Sequence, residues 1–236
     1  MSTVPPSAAP KTAVVAGASS GIGAAGARAL AAAGYEVHLI ARREPELRDL
    51  AAAIGGSYTV ADLSVAADVE RAIAALPEAV GVAVYAAGSL QVSTVAEHPI
   101  ELWEQMIAVN LTGAFLFARG IIPKLTAGSR LIFVSSQTGG KGLPGQSAYA
   151  ASKAGVDRLA ESLQRELEPA GIYVHELVPG PAATPMLDLP GTSPFQLDAE
   201  QVADVLMFLA QLPPDVFIRR IQVRAPLAGP FARPRH

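Results

Sequence analysis

Hydrophobic residues along this chain come in two alternating arrangements. "TAVVA", Thr12 to Ala16, is short, apolar and β-branched, as in a strand buried on both faces; the alanine-rich segment after it, ending at Gly34, has helical character. The same pair of patterns then recurs. "YEVHLIA" precedes "EPELRDLAAAI", where Pro45 suits a first helical turn; "SYTVADLS" precedes "VAADVERAIAAL"; "VGVAVYAAG" precedes "PIELWEQMIAVNLTGAFLFARGIIPKL", one long helix or two joined. "SRLIFVSS" leads to "AYAASKAGVDRLAESLQRELEPAG", stopped by Pro169 and Gly171, and "IYVHELVPG" leads to "DAEQVADVLMFLAQL", before a last strand in "VFIRRIQVRAP". Strands that are apolar at successive positions, each followed by a helix, predict an α/β fold with a parallel sheet wrapped by helices. No shift in composition divides the chain, so the expectation is one domain over residues 11–226, between a loose tail at 1–10 and an irregular one at 227–236.

Composition narrows the function by exclusion. A net charge of -3 offers no basic surplus for nucleic acid or an anionic membrane. With no cysteine, disulfides, thiolate zinc sites and a cysteine nucleophile are ruled out. His38, His98, His175 and His236 are scattered without metal-ligand spacing, so no metal site is expected. By its pattern no apolar run approaches the roughly 20 residues of a membrane span, and "MSTVPPSAAP" lacks the basic-then-apolar order of a signal peptide. A cytoplasmic location is the expectation.

The first strand–helix junction carries chemistry. In "GASSGIG", Gly17, Gly21 and Gly23 permit a tight turn and close approach of backbone to a phosphate, while the helix start offers unpaired N–H groups to a pyrophosphate. The alternative is an ordinary glycine-rich turn. At the end of the second strand an acid would accept the ribose hydroxyls of NAD; this chain has Ala41, then Arg42 and Arg43, two guanidiniums suited to a 2′-phosphate. NADP(H) is therefore expected over NAD(H), with Arg42 the main contact and Ser19 and Ser20 as further donors. Asp62, in "ADLS", is either an acceptor for the adenine amino group or a cap or turn residue.

"QSAYAASKAG" places Tyr149 and Lys153 on one helix face, at i and i+4. At about 4 Å and an effective dielectric of about 20, their attraction would be roughly 4 kcal/mol. That is about three pKa units, which would take a phenol from about 10 towards 7. Such a phenol exchanges a proton with an alcohol or carbonyl at neutral pH. By spacing alone the pair is ordinary helix surface; what changes this is "GASSGIG" upstream and "FVSS" between, with Ser136 thirteen positions before Tyr149.

Together these residues resemble the short-chain dehydrogenase/reductase family, from about Thr12 to Pro226, on the glycine triplet, the Ser–Tyr–Lys spacing and "VNLTG". The resemblance implies a single Rossmann-type, doubly wound sheet of about seven mostly parallel strands, flanked by helices on both faces. It also implies hydride transfer between NAD(P)(H) and a small carbonyl or alcohol. Tyr149 would be the general acid/base. Lys153 would lower its pKa and hold the nicotinamide ribose, Ser136 would orient the substrate oxygen, and Asn110 would hold a water linking Lys153 to solvent. Cofactor contacts would come from Gly17, Ser19, Ser20, Gly21, Ile22 and Gly23, from Asp62 and Leu63, from Ala87 and Gly88, and from Pro179, Gly180, Ala182 and Thr184. The chain departs from the family at Ala16, where a threonine is usual, at Tyr85-Ala86, where paired asparagines brace the sheet, and in lacking an Asp-Gly-Gly ending to the last strand. Loss of the asparagines raises a question of local stability. Met186 to Gln196 would cover the substrate, with Met186, Leu187, Leu189 and Phe195 as an apolar flank and Gln137 near a polar substituent. A homodimer or homotetramer is implied. The rival reading is an NADP-binding sensor or scaffold without catalysis.

Overall fold

The computed structural model describes residues 9–187, 195–227 and 232. The tail at 1–8, Leu189 and the rest of 188–194, and most of the C-terminal tail, His236 included, lie outside the described residues. The apolar runs form β1 (Thr12–Ala16), β2 (Glu36–Ala41), β3 (Ser57–Val60), β4 (Val80–Tyr85), β5 (Leu125–Val134) and β6 (Tyr173–Pro179). Two short strands, β7 (Ala182–Ala183) and β8 (Leu197–Asp198), pair with each other, and β9 (Arg220–Val223) completes the main sheet. That sheet has seven strands in the order β3-β2-β1-β4-β5-β6-β9, each neighbouring pair parallel.

Strand side chains alternate between two cores. Ala13, Val15, Val82, Val84, Ile132 and Val134 face one side, against α1 (Gly21–Ala32), α2 (Glu44–Ile54) and α7 (Ala199–Ala210). Val14, Ala16, Ala83, Tyr85, Leu131 and Phe133 face the other, against α3 (Ala66–Ala74), α5 (Gly113–Ile121) and α6 (Ser147–Leu167). Burial on both faces explains why these strands are apolar at every position. The edge strands β3 and β9 lack it, and their residues are partly exposed.

Three elements differ from the sequence expectation. The helical run from Ile100 to Lys124 is continuous: α4 (Ile100–Ile107), a π-helical segment at Ala108–Thr112, α5, and a closing 3₁₀ turn. Its 25 residues and mean hydropathy of 1.5 do meet the length and polarity of a membrane span, contrary to the sequence reading. Its apolarity has a use in the fold, since Ala114, Phe117, Ala118 and Ile121 are buried against the sheet. β5 begins at Leu125, ahead of the expected Ser129, with a register shift against β4 between Val80 and Val82. β9 begins only at Arg220, and two carbonyls of the expected strand ahead of it meet side chains instead: buried Arg130 Nη1 donates to Val216 O at 3.4 Å, and His175 Nδ1 lies 2.6 Å from Ile218 O.

Candidate functional site

The carboxyl ends of β1, β4, β5 and β6 make one rim. Strand order reverses between β1 and β4, since β2 and β3 lie on one side of β1 and β4 on the other. In open α/β sheets ligands bind in the crevice at that reversal.

The glycine turn occupies it. Gly17 has φ 87°, and its N–H donates to Ile40 O at 2.7 Å. A methyl group added at Gly17 would collide with the backbone of Ala87, and one at Gly23 with the Gly17 carbonyl. One at Gly21 would lie 3.0 Å from Thr184 Cγ2. Thus Gly17, Ala87 and Thr184 are brought together from distant sequence. Ser20 stands at the N-cap of α1 in extended conformation without a side-chain cap bond. The first N–H groups of the helix therefore face the crevice free of intrahelical partners. A cradle that side chains would fill, closed by a helix N-terminus, fits a dinucleotide pyrophosphate. Ile22 packs against the core at the start of the helix.

Arg42 and Arg43 leave β2 beside this turn, with side chains 60% and 48% exposed. They are held differently. Arg43 donates to Ser19 Oγ from Nη2 and Nε, at 2.9 and 3.2 Å, and pairs with Glu46 at 3.1 Å. Among the described residues, Arg42 has one ion pair, with Asp62 Oδ2 at 3.7 Å. Asp62 Oδ1 accepts from Ser64 N at 2.9 Å and Ser64 Oγ at 2.7 Å, so this carboxylate builds its own turn while facing the arginine. Partial burial opposes its charge, but the Ser64 bonds and Arg42 together hold the carboxyl below the ordinary range. Leu63 beside it is buried in the second core.

At the other end of the crevice, Tyr149 and Lys153 are both buried, 8% and 4% exposed. Ser136 stands beside the Tyr149 phenol, and its hydroxyl accepts from Thr138 N at 3.2 Å. The expected lowering of the phenol pKa by Lys153 is corrected here. Burial raises the Tyr149 pKa, with the neighbouring Ser136 acting against it, and the phenol keeps its proton at neutral pH. Lys153 Nζ stands 5.8 Å from the Tyr149 ring centroid and donates instead to Val134 O, at 3.0 Å. Burial pushes the ammonium itself down to about 8, against the pull of Glu176. The assumed separation of about 4 Å treated both groups as half-solvated, whereas desolvation dominates for groups this deep.

Asn110 is also differently engaged. Fully buried in the π segment, it accepts from Ser89 N at 2.8 Å and donates to Ser89 O and Ser152 Oγ, each at 3.0 Å. Its amide thus ties the segment following β4 to α6. It lies close to Lys153 all the same: a methyl at Gly88 would be 3.4 Å from Asn110 Oδ1 and 3.7 Å from Lys153 Nζ.

After β6, Pro179 pairs with Val223 in the ladder and Gly180 N–H donates to Val223 O at 2.7 Å. A methyl at Gly180 would crowd Arg224 Cβ, at 2.9 Å, and Gln137 Nε2, at 3.2 Å. Gln137 Nε2 is buried and has no hydrogen-bond partner among the described residues. Ala182 is buried, and Met186 and Leu187 pack on the cluster of Leu90, Met106, Ala148 and Tyr149.

Sequence reasoning missed three supports. Tyr85, replacing an asparagine, is buried and donates from its hydroxyl to Val109 O at 2.6 Å, in the π segment. Gly139 lets the 3₁₀ turn after Ser136 sit on α6, since a methyl there would lie 2.9 Å from Lys153 C. Glu176 is 1% exposed inside β6, where a charged residue in the apolar run "IYVHELVPG" was the available signal.

Comparison with known proteins agrees with this geometry. The short chain dehydrogenase family profile matches residues 11–190. An uncharacterized oxidoreductase of Staphylococcus epidermidis is 30% identical over 224 residues, 91% of this chain and 96% of that one. The trans-4-hydroxycyclohexanecarboxylate dehydrogenase of Sinomonas cyclohexanicum is 34% identical over 231 residues, 89% of each chain. The structure of an alcohol dehydrogenase from Thermococcus sibiricus complexed with 5-hydroxy-NADP superposes with a TM-score of 0.85 and 28% identity, over 95% of this chain and 99% of that one. The chain belongs to the short-chain dehydrogenase family, and it is an oxidoreductase by that membership.

Proposed function

We propose that this oxidoreductase interconverts a small carbonyl compound and its secondary alcohol, using NADP(H), with Tyr149 as the proton donor in reduction. The observation that carries the reading is buried Tyr149 with buried Lys153 beside it and half-buried Ser136 next to its phenol, at the rim where the glycine turn opens. When bound, the nicotinamide supplies the hydride. Tyr149, protonated at neutral pH, gives its phenolic proton to the developing alkoxide. Ser136 orients that oxygen, and the Lys153 ammonium lies close enough to stabilise the resulting phenolate. Asn110 is a positioning residue, holding Ser89 and α6 together around Lys153.

Preference for NADP(H) rests on Arg42 and Arg43 at the end of β2, with Ser19 between guanidinium and glycine turn. The Thermococcus relative is described with a 5-hydroxy-NADP complex, and the Sinomonas relative is named for a secondary alcohol. Gly17, Ser20, Gly21, Ile22, Gly23, Ala87, Gly88, Pro179, Gly180, Ala182 and Thr184 would line the dinucleotide, and Asp62 and Leu63 its adenine. We place residues 11–226 in one catalytic unit that acts in the cytoplasm as a homodimer or homotetramer, its exposed Phe115 on α5 available to a second copy. A silent NADP-binding scaffold has no need of a desolvated phenol–lysine pair.

The test is Tyr149→Phe. NADPH oxidation over a panel of diverse carbonyls should fall by about 10²–10⁴-fold, the worth of a general acid, while NADPH binding, followed by fluorescence, stays within about twofold. Retained turnover would remove Tyr149 from this role.

A further inference from the structure

Beyond Ser136, the carboxyl ends of β5, β6 and β9 converge on one glycine. A methyl at Gly180, just after β6, would lie 3.2 Å from Gln137 Nε2 and 2.9 Å from Arg224 Cβ. Gln137 adjoins Ser136 and opens the 3₁₀ turn Gln137–Gly140, whose cap is the Ser136 hydroxyl. Arg224 follows β9, and Val223 O in that strand accepts from Gly180 N at 2.7 Å. The turn that sets Ser136 therefore also sets Gln137, and Gly180, by lacking a side chain, lets the amide and the base of the arginine meet. Both side chains have bonding capacity left over. Gln137 Nε2 is buried with no hydrogen-bond partner among the described residues, so a donor has been desolvated with no bond in return. The residue as a whole is only half-buried. Rotation about its last side-chain bond, a broad and roughly two-fold torsion, turns the N–H₂ away from Gly180 when an acceptor arrives. Arg224 is exposed, and among the described residues it forms no ion pair; its Nη1 donates to Ala225 O at 3.2 Å. Arg220, at the start of β9, is in the opposite state: its Nε donates to Glu176 Oε2 at 2.9 Å, and that carboxylate matches its charge. One of these two arginines is thus neutralised inside the fold and the other is not.

We propose that Gln137 and Arg224 form the subsite for a carboxylate on the substrate, so that the reaction is between an oxo acid and its hydroxy acid. The inference rests on the functional reading above, in which Ser136 and Tyr149 take the reacting oxygen. An amide N–H and a guanidinium without acceptors are matched by an anion that takes both, and charge-assisted hydrogen bonds of this kind are the strong ones. Adjacent Cα atoms stand about 3.8 Å apart, so a group held by Gln137 lies a few bonds from a carbonyl held by Ser136. This selects oxo acids with the carboxylate near the carbonyl over uncharged ketones. The carboxylate takes no part in the chemistry: the carbonyl carbon gains the hydride of the reduced nicotinamide, which is oxidised, and the carbonyl oxygen gains the Tyr149 proton. The two residues divide the work. Arg224, open to solvent, draws the acid in through a field that salt screens. Gln137, with its amide against Gly180, fixes where the carboxylate sits.

The test measures kcat/KM with NADPH for pyruvate, acetoacetate and levulinate, each against its own methyl ester, which keeps the carbonyl in place and removes the charge. In the wild type at least one acid should exceed its ester by about 100-fold, as for two donors to one charged group. Arg224→Gln should cut that acid-to-ester ratio by about tenfold, Arg224→Lys by less, and Gln137→Leu by about 10–100-fold, the range for a hydrogen bond to a charged group. The Arg224→Gln effect should shrink several-fold in about 0.5 M salt. Saturation-transfer NMR follows binding of the same acids to the full-length protein in the presence of NADPH. A wild type that treats acids and esters alike, or ratios unmoved by both substitutions, overturns the proposal; equal losses for acid and ester mark a merely structural role and overturn it too. If Gln137→Leu does not fold, Arg224→Gln, at an exposed side chain, decides alone. If the wild type reduces no carbonyl at all, the functional reading fails; acid binding that is present in the wild type and weakened in both variants then upholds the subsite, and its absence overturns it.

Discussion

The two ends of the crevice are built on opposite principles. The glycine turn recognises through backbone: its useful features are missing side chains at Gly17 and Gly23, and helix N–H groups left unpaired. The few charges there, Arg42 and Arg43, are exposed. The Tyr149–Lys153 end works through side chains taken out of water, where burial alone raises one pKa and lowers the other. Steric exclusion is absolute and salt-independent; an exposed ion pair is weak and screened; a desolvated ionisable group is strongly perturbed. The same dinucleotide-binding crevice therefore has one end that tolerates no added atom and another that tolerates no lost charge.

The largest effect that sharpens this contrast is at Gly23. Its added methyl meets the Gly17 carbonyl, a backbone atom that cannot rotate away. Gly23→Ala should weaken NADPH binding by about 100-fold, or about 2.7 kcal/mol, and lower the thermal midpoint. Gly34→Ala is the control, since a methyl there meets nothing within 4 Å and the only strain is a φ of 83°. It should cost about 1 kcal/mol of stability and leave NADPH affinity unchanged. Fluorescence titration with thermal unfolding measures both. Equal losses of affinity at the two positions would mean that the turn is not a steric cradle.

Next in size is Tyr85. The sequence showed that the bracing asparagines were gone, and left stability there in question. It could not show that the phenol reaches Val109 O, because that carbonyl lies in the π-helical segment, and "AVNLT" carries no local mark of a π turn. Tyr85 also tilts against Phe117 and Phe133, with ring centroids 5.6 and 6.5 Å away. Tyr85→Phe keeps the rings and leaves the buried carbonyl without its donor, so unfolding free energy should fall by about 1–3 kcal/mol. Denaturant unfolding checks this; an unchanged midpoint would show that the hydroxyl braces nothing.

That example marks where sequence reasoning stopped. Strand and helix order, the glycine turn and the Ser136, Tyr149, Lys153 spacing were legible because each follows from local pattern: apolar runs, a triplet between strand and helix, and the period of α6. What the local pattern lacked was depth. Lys153 on a helix beside alanines reads as half-solvated until β5 is seen to bury it and supply Val134 O. Asn110 reads as a water holder, and only the fold shows that Ser89 and Ser152 engage its side-chain amide. Both cases have one origin, that desolvation and partner choice depend on residues dozens of positions away.

The smallest effect, and the one that tests the exposed side of the comparison, lies at the end of β2. Arg43 is already matched by Glu46 and fixed to Ser19, whereas among the described residues Arg42 has only the longer contact to Asp62. The less committed guanidinium is the freer to turn to a 2′-phosphate, at little cost in broken bonds. Arg42→Ala should raise the KM for NADPH by about tenfold at low salt and that for NADH by less than about twofold, with Arg43→Ala intermediate. Because the site is open to solvent, the Arg42→Ala effect should shrink several-fold when ionic strength rises from about 0.01 M to about 0.5 M, as the Debye length falls from about 30 Å to a few ångströms. The Tyr149→Phe deficit, set in a dry site, should not move with salt. Steady-state kinetics with both cofactors across that range decides it: equal effects on NADPH and NADH reject the phosphate contact, and a salt-insensitive Arg42→Ala defect would place the arginine in a buried role that its exposure does not support.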